Sequence, residues 1–392
     1  MMAMYTRVLT PPKSTFFLLG PRGTGKTFWL QENFPDVKRY DLLRTSEFLR
    51  LLKSPDLLRQ DIETLPSGSW IIIDEIQKLP QLLDEVHSLI TDSRGKYKFA
   101  LTGSSARKLK RSGANLLPGR SINRIFFPLT LRELNQTPTP ESLMRWGGLP
   151  AVRSAIEDKD EMLGIDLLET YVQNYLRQEI QEEAAVKRLE PFVRFFEVTS
   201  IMNGQLMNQA NISREAGIAR PTVQGYFDVL VETLIGTYLP SWRRRVKIKE
   251  VGHPKFYFFD PGLVRALAGR LREPLDSIEA GYLLETWVFH ELRAWISYSG
   301  CGGELSYWRT TSGTEVDFIW TRGKKAIGIE VKLSNSWKSE WSRPLLELAG
   351  DGYIQKGFGI YLGKQKLKIG KLSVFPFAEF FDALYKGEVI ES

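Results

Sequence analysis

The sequence predicts an α/β protein of three units. An N-terminal parallel sheet with helices on both faces leads. A middle helical and winged-helix segment follows, and a small α/β domain closes the chain. Three observations carry this. Gly20-Pro21-Arg22-Gly23-Thr24-Gly25-Lys26-Thr27 stands between a short apolar run and a helical stretch. Trp70-Ile71-Ile72-Ile73-Asp74-Glu75 reads as a strand buried on both faces that ends in two acids. Gly313 to Lys332 alternates apolar and polar residues about Gly323-Lys324, the pattern of a hairpin with a two-residue turn.

The first stretch fits G-x-x-x-x-G-K-[ST], the phosphate-binding loop. Its glycines let backbone N–H groups turn toward a nucleotide's phosphates. Lys26 would reach the β- and γ-phosphates, and the Thr27 hydroxyl would take one position on Mg²⁺. Ser14 to Leu19 supplies the strand before the loop, and Phe28 to Phe34 the helix after it. Val37 to Leu43 is expected as a second strand and Thr45 to Gln60 as a leucine-rich helix. At the end of the Trp70 strand, Asp74 would hold Mg²⁺ and Glu75 would polarise the water that attacks the γ-phosphate. Tyr97 to Gly103 reads as a further strand, which brings Ser104 beside the phosphates as a sensor, or else as part of a plain turn. Arg107, Arg111, Arg120 and Arg124 follow. Arg120 is the candidate arginine finger, which reaches a neighbour's γ-phosphate in a homo-oligomer. Phe126 to Leu129 is expected to close the sheet.

Thr137-Pro138-Thr139-Pro140 marks a boundary. Helical patterns run from Glu141 to about Glu190, with a break at Trp146-Gly147-Gly148-Leu149-Pro150. Gln205 to Ala216, a turn at Gly217 to Arg220 and Pro221 to Ile235 fit a helix-turn-helix. The basic run holding Arg243, Arg244, Arg245, Lys247 and Lys249, with Lys255 to Phe259, would form its wing and meet DNA phosphates, or would be a solvated loop. The implied boundaries are 1–135, 136–190, 191–260 and 261–392.

In the last unit the hairpin register sets Arg322 opposite Lys325, Trp320 opposite Ile327 and Asp317 opposite Glu330. Like charges directly opposite are destabilising unless a cation lies between them. Lys332 is two residues from Glu330 and so on the same face. Two carboxylates and a lysine on one face suit metal-assisted phosphodiester hydrolysis with Mg²⁺ or Mn²⁺. Glu285, on a helix from Gly281 to Ser297, would add a third carboxylate. The alternative is a solvated face with Glu315–Lys332 pairing.

Composition narrows the classes further. The single cysteine, Cys301, excludes an intrachain disulfide framework. Three histidines and one cysteine leave too few soft ligands for a structural zinc site. No apolar run nears the roughly 18 residues of a membrane span. Pro11, Pro12 and Lys13 interrupt the N-terminus where a signal peptide would be apolar. A cytoplasmic protein without membrane contact is expected. The net charge of +7 suits an anionic partner if it is clustered.

Together the loop, Ile71 to Gln77, Leu101 to Ser105 and Leu117-Pro118-Gly119-Arg120 resemble bacterial and archaeal AAA-type ATPases with a C-terminal restriction-endonuclease-like region. Gly281 to Glu285, Glu315 to Phe318 and Ile329 to Lys332 resemble the PD-(D/E)XK nuclease core. The resemblance implies an ASCE-type P-loop NTPase sheet. It assigns nucleotide chemistry to Lys26, Thr27, Asp74 and Glu75, and nuclease chemistry to Glu285, Asp317, Glu330 and Lys332. The expected function is an ATP-hydrolysing, DNA-engaging machine whose last domain is gated by the nucleotide. Two rivals stay open: a nucleotide-switched DNA- or protein-binding module with an inert nuclease-like fold, and a winged-helix transcriptional regulator.

Overall fold

The computed structural model describes residues 4–104, 117, 119–176, 189–243 and 250–391. The first unit comprises β1 (Phe16–Leu19), α1 (Lys26–Asn33), β2 (Lys38–Asp41), α2 (Thr45–Lys53), α3 (Leu57–Glu63), β3 (Trp70–Asp74), α4 (Leu82–Asp92), β4 (Lys98–Gly103) and β5 (Ile122–Ile125). Its strands are all parallel, in the order β2-β3-β4-β1-β5. Alternate residues serve two cores. Phe17, Leu19, Ile71 and Ile73 pack on one face, and Phe16, Leu18 and Ile72 on the other. Burial on both faces explains the unbroken apolar runs. With β4 between β1 and β3, the ends of these three strands lie side by side.

The middle unit holds α5 (Pro140–Trp146), α6 (Pro150–Glu157), α7 (Glu161–Thr170), α8 (Leu189–Ile201), α9 (Gln209–Ala216), α10 (Arg220–Glu232), the antiparallel pair β6 (Gly236–Leu239) and β7 (Lys255–Phe258), and α11 (Pro261–Leu267). The last unit holds α12 (Ser277–Ser299), β8 (Glu304–Arg309), β9 (Glu315–Arg322), β10 (Lys325–Lys332), α13 (Ser339–Gly350), β11 (Lys356–Tyr361), β12 (Leu367–Ile369), β13 (Leu372–Pro376) and α14 (Phe377–Tyr385). Its mixed sheet runs β12-β13-β11-β10-β9-β8. One apolar core extends from Leu143 to Ile390, so the middle and last units pack as one mass. Among the described residues no helix is long and apolar enough to cross a membrane.

Four expectations are corrected. The leucine-rich helix is two helices, because Pro55 disfavours helical backbone at Ser54 and interrupts the pattern. The closing strand is Ile122–Ile125 rather than Phe126 to Leu129. Phe126, Phe127 and Leu129 turn into the core, while the edge strand needs only one covered side. The helix expected from Gln205 begins at Gln209, where the Asn208 side chain accepts the Asn211 N–H at 3.1 Å. Lys255–Phe258 pairs with Gly236–Leu239, because the apolar-aromatic segment directly after α10 can bury its face against Phe227, and the basic run expected there lies, past Arg243, outside the described residues.

Glu291 on α12 bolts the units together. Its carboxylate accepts the Leu131 N–H at 2.6 Å and the Tyr385 hydroxyl. Burial pushes this carboxyl up to about 8, from about 4.3 in an unfolded chain. The folded state therefore favours the protonated form. Stability from this group is complete below about pH 4 and is lost as pH rises through 8. The melting temperature of Glu291→Gln minus that of wild type should climb between pH 4.5 and 8, then flatten. A pH-independent difference would count against this.

Candidate functional site

The loop leaves the buried end of β1 and re-enters as α1. Gly25 sits at φ 92°, a left-handed conformation that a side chain would strain. The Lys26 ammonium donates to the carbonyls of Gly20 at 2.7 Å and Pro21 at 3.0 Å. The Thr27 hydroxyl donates to Asp74 Oδ2 at 2.8 Å. The Thr102 hydroxyl donates to the other oxygen of Asp74 and accepts the Glu75 N–H at 2.9 Å. Thr27 and Asp74 thus present adjacent hard oxygens at the strand ends, which fits a divalent cation beside the loop. Glu75 adopts φ 60°, an uncommon conformation for a non-glycine residue. It turns the side chain out of the strand into the cavity that the loop lines. Gln77 donates to Glu75 and, at 3.0 Å, to the Ser104 hydroxyl. Ser104 is therefore tied to Glu75 through Gln77.

This cavity of about 390 Å³ is lined by Arg22 to Phe28 and Glu75. Its far wall is Tyr5, Arg7, Pro150 and Ala151. Arg7 clamps the N-terminal segment. It donates to the carbonyls of Thr24 at 2.8 Å and Phe127 at 2.6 Å, and pairs with Glu133 at 3.0 Å. The Tyr171 hydroxyl donates to the Arg22 carbonyl at 3.0 Å. None of these wall residues was visible in the motif. Only the break at Gly147 to Pro150 signalled that the chain turns here. Arg120 is exposed and contacts His87, and Arg107 and Arg111 lie outside the described residues.

The second site is a cavity of about 400 Å³ in the last unit. The hairpin register is the expected one, from Lys325 opposite Arg322 to Ile329 opposite Phe318. Asp317 and Glu330 follow as neighbours, both buried. Asp317 Oδ2 accepts the Val331 N–H at 2.8 Å. Lys332 lies 2.5 Å from Glu330 Oε1 and 3.9 Å from Asp317 Oδ2. Glu330 Oε2 is buried without a hydrogen-bond partner. Burial, then the Asp317 charge, lifts the Glu330 carboxyl well above the usual range. A divalent cation fits this pair, because it would satisfy the orphaned oxygen and the repulsion together.

Glu285 lines the same cavity, but the expectation of three converging carboxylate ligands is corrected. Among the described residues no group of three or more His, Cys, Asp or Glu side chains is placed to hold a metal. The Tyr257 hydroxyl donates to Glu285 at 3.3 Å and Lys255 stands 3.7 Å away, which draws its carboxylate to the other wall. Burial and then Asp317 push Glu285 up to about 8. Glu315 pairs with Lys255 at 2.5 Å and Arg309 at 2.9 Å, so the Glu315–Lys332 alternative does not form. Lys255 lines this cavity too, which the sequence reading missed. Burial opposes its charge, yet Tyr257, Glu285, Glu315 and Asp317 more than offset this. Of the basic run, Arg243 is exposed, while Arg244, Arg245, Lys247 and Lys249 lie outside the described residues.

Comparison with known proteins agrees with the first site. Residues 12–135 match a family described as AAA domain. Residues 139–273 and 280–380 match two families described as domains of unknown function, DUF8612 and DUF4143. An uncharacterized protein of Mycobacterium tuberculosis, Rv2008c, is 25% identical over 328 residues, covering 81% of this chain and 70% of that one. An uncharacterized protein of Haemophilus influenzae is 25% identical over 288 residues, covering 69% and 68%. Among solved structures, the RuvB Holliday junction branch migration motor of Thermotoga maritima is 17% identical. It covers 58% of this chain and 82% of its own, at a TM-score of 0.27. Loop, strand order and family match together support an AAA-type P-loop ATPase domain over residues 12–135.

Proposed function

We propose that this chain hydrolyses ATP, engages DNA, and carries in its last unit a cation-dependent phosphodiester-cleaving site that the nucleotide gates. The observation that supports ATP hydrolysis is the convergence of Lys26, Thr27 and Glu75 on one cavity at the ends of β1 and β3, with Asp74 bonded to Thr27 behind it. Magnesium held by Thr27 and Asp74 would neutralise the phosphate charge. Lys26 binds the β- and γ-phosphates. Glu75 accepts a proton from water as its oxygen bonds the γ-phosphorus and the bond to the bridging oxygen breaks. Ser104 positions Glu75 through Gln77. Arg120 serves a neighbouring subunit of a homo-oligomer.

In the last unit Asp317 and Glu330 would hold Mg²⁺ or Mn²⁺, which would polarise a phosphodiester oxygen and acidify a water. Lys332 orients that water. DNA engagement is supported by the bonding of the residues that flank the basic run. The Trp242 N–H donates to the Tyr307 carbonyl at 2.7 Å before it, and the Val251 N–H to the Arg309 carbonyl at 2.9 Å after it. Arg309 lines the acidic cavity, so the flanking residue Val251 is bonded to a residue of that site. This segment with α8, α9, α10 and the β6–β7 pair would act as a winged helix.

Gating is supported by β7. Lys255 at its start lies in the acidic cavity, and Asp260 just beyond its end accepts the Gly148 N–H at 2.5 Å. A Cβ on Gly147 would stand 1.8 Å from Asp260, so only glycine permits this contact. The same turn sets Pro150 and Ala151 against the loop. A nucleotide filling that cavity would press on a segment locked to β7.

The test is hydrolysis of ATP and of labelled single-stranded, duplex and branched DNA with Mg²⁺ or Mn²⁺. Wild type should cut one of these. Asp317→Asn should lose cutting at least about a hundredfold with ATP turnover intact, and Lys26→Ala should lose turnover and the ATP dependence of cutting. No cutting by wild type on any substrate, with ATP turnover intact, would favour the second reading, a nucleotide-switched binding module. The buried pairing of Lys255 with Glu285 and Glu315 is the observation on its side.

A further inference from the structure

Lys255 belongs to a strand of the middle unit, yet its ammonium lies among the carboxylates of the last unit. The residue is 4% exposed. Its strand is held on several sides. The Gly204 N–H donates to the Phe256 carbonyl at 2.8 Å, and the Met207 N–H to the Pro254 carbonyl at 2.8 Å. Asn203 accepts the Phe258 N–H at 2.9 Å and donates to Thr286 on α12 at 2.7 Å. Tyr257 reaches Glu285 from the same strand. Lys255 is therefore a fixed charge, unlike a surface lysine that samples many rotamers.

The four carboxylates of the cavity fall into two pairs. Asp317 and Glu330 share Lys332 and leave Glu330 Oε2 without a partner. Glu285 and Glu315 share Lys255, at 3.7 and 2.5 Å. Enzymes that cleave phosphodiesters with two metals hold two cations about 3.5–4 Å apart between such carboxylates, one for the attacking and one for the leaving oxygen. We infer that the Lys255 ammonium occupies the seat of the second cation, so the cavity takes one divalent cation, at Asp317 and Glu330, and the middle unit supplies the other positive charge. The inference rests on the phosphodiester-cleaving reading above.

The physical case is charge balance. Ionising all four carboxyl groups against only Lys332 and the outer Arg309 would leave an excess of negative charge that water cannot screen in a buried cavity. One ammonium seated between Glu285 and Glu315 offsets it without ordering a second ion. An ammonium cannot coordinate water, so water activation stays with the Asp317–Glu330 pair. Lys255 acts on the charge that develops on the phosphate.

The experiment is a Mn²⁺ titration of the full chain without nucleotide, read by electron paramagnetic resonance, with every protein also carrying Asp74→Asn to empty the cation seat beside the loop. Wild type should bind one Mn²⁺ that is lost in Asp317→Asn. Lys255→Met and Lys255→Gln should each bind one more, with the coupled signal of a Mn²⁺ pair, and the extra ion should vanish when Glu315→Gln is added. Lys255→Arg should keep the wild-type stoichiometry. If both neutral variants fail to fold without cation, recovery of their melting transition at two equivalents of Mn²⁺ supports the inference, and recovery at one overturns it. Unchanged stoichiometry without coupling in folded Lys255→Met also overturns it. Equal binding by wild type and Asp317→Asn would instead defeat the cation-site reading itself.

Discussion

Glu75→Gln should bind ATP as wild type does and hydrolyse it at least about a hundredfold more slowly, the usual effect of removing a general base. The substitution keeps size and shape, so the backbone at φ 60° need not change. The Thr27–Asp74 contact and the Lys26 contacts lie outside the altered group, so phosphate binding should survive. Only the ability to take a proton from water is lost. Binding of a fluorescent ATP analogue and release of phosphate, measured on the same preparation, separate the two steps. Turnover within threefold of wild type would show that Glu75 is not the base. Loss of binding would show that its charge serves the loop instead.

Arg7→Ala should destabilise the fold by about 3–5 kcal/mol, because it leaves a buried carboxylate unpaired. The Arg7 and Glu133 side chains are 4% and 0% exposed. Glu133 also accepts the N–H groups of Val8 at 2.7 Å and Thr130 at 2.9 Å, so it cannot turn out to water when its partner goes. A double-mutant cycle by denaturant unfolding checks this. Glu133→Ala should cost less in the Arg7→Ala background than in wild type, with a coupling of at least about 1 kcal/mol. Additive effects would remove the ion pair from the account. The same variant should weaken ATP binding, because Arg7 holds the Thr24 carbonyl and forms part of the cavity wall.

What could be read from the chain was local. A phosphate-binding loop is set by glycines, a lysine and a threonine within eight residues, and its flanking strand and helix are contiguous with it. The Asp74–Glu75 strand announced itself because burial on both faces requires an unbroken apolar run. The hairpin placed Asp317 opposite Glu330 because a two-residue turn fixes the register of everything after it. Glu285 could be assigned to that cavity from the helix it occupies, but not the direction in which its carboxylate would be drawn.

Edge strands were harder. Ile122–Ile125 is half exposed and carries Asn123 and Arg124, so hydrophobicity pointed instead to the buried link that follows it. The wing was misread for a related reason. The basic run is conspicuous by charge, while the strand that pairs with β7 is Gly-Thr-Tyr-Leu, which signals little by itself.

By itself, then, the sequence determined a nucleotide-binding α/β unit and two carboxylates with a lysine on one hairpin. Both depend on spacings of eight residues or fewer, or on a single turn. Only the tertiary structure decided who else stands in those sites. Arg7 meets Phe127 across 120 residues, Gly148 meets Asp260 across 112, and Lys255 meets Glu315 across 60. Such partners are chosen when the units pack, since a buried charge or amide must find its complement wherever the shared core brings one. No local pattern encodes that choice.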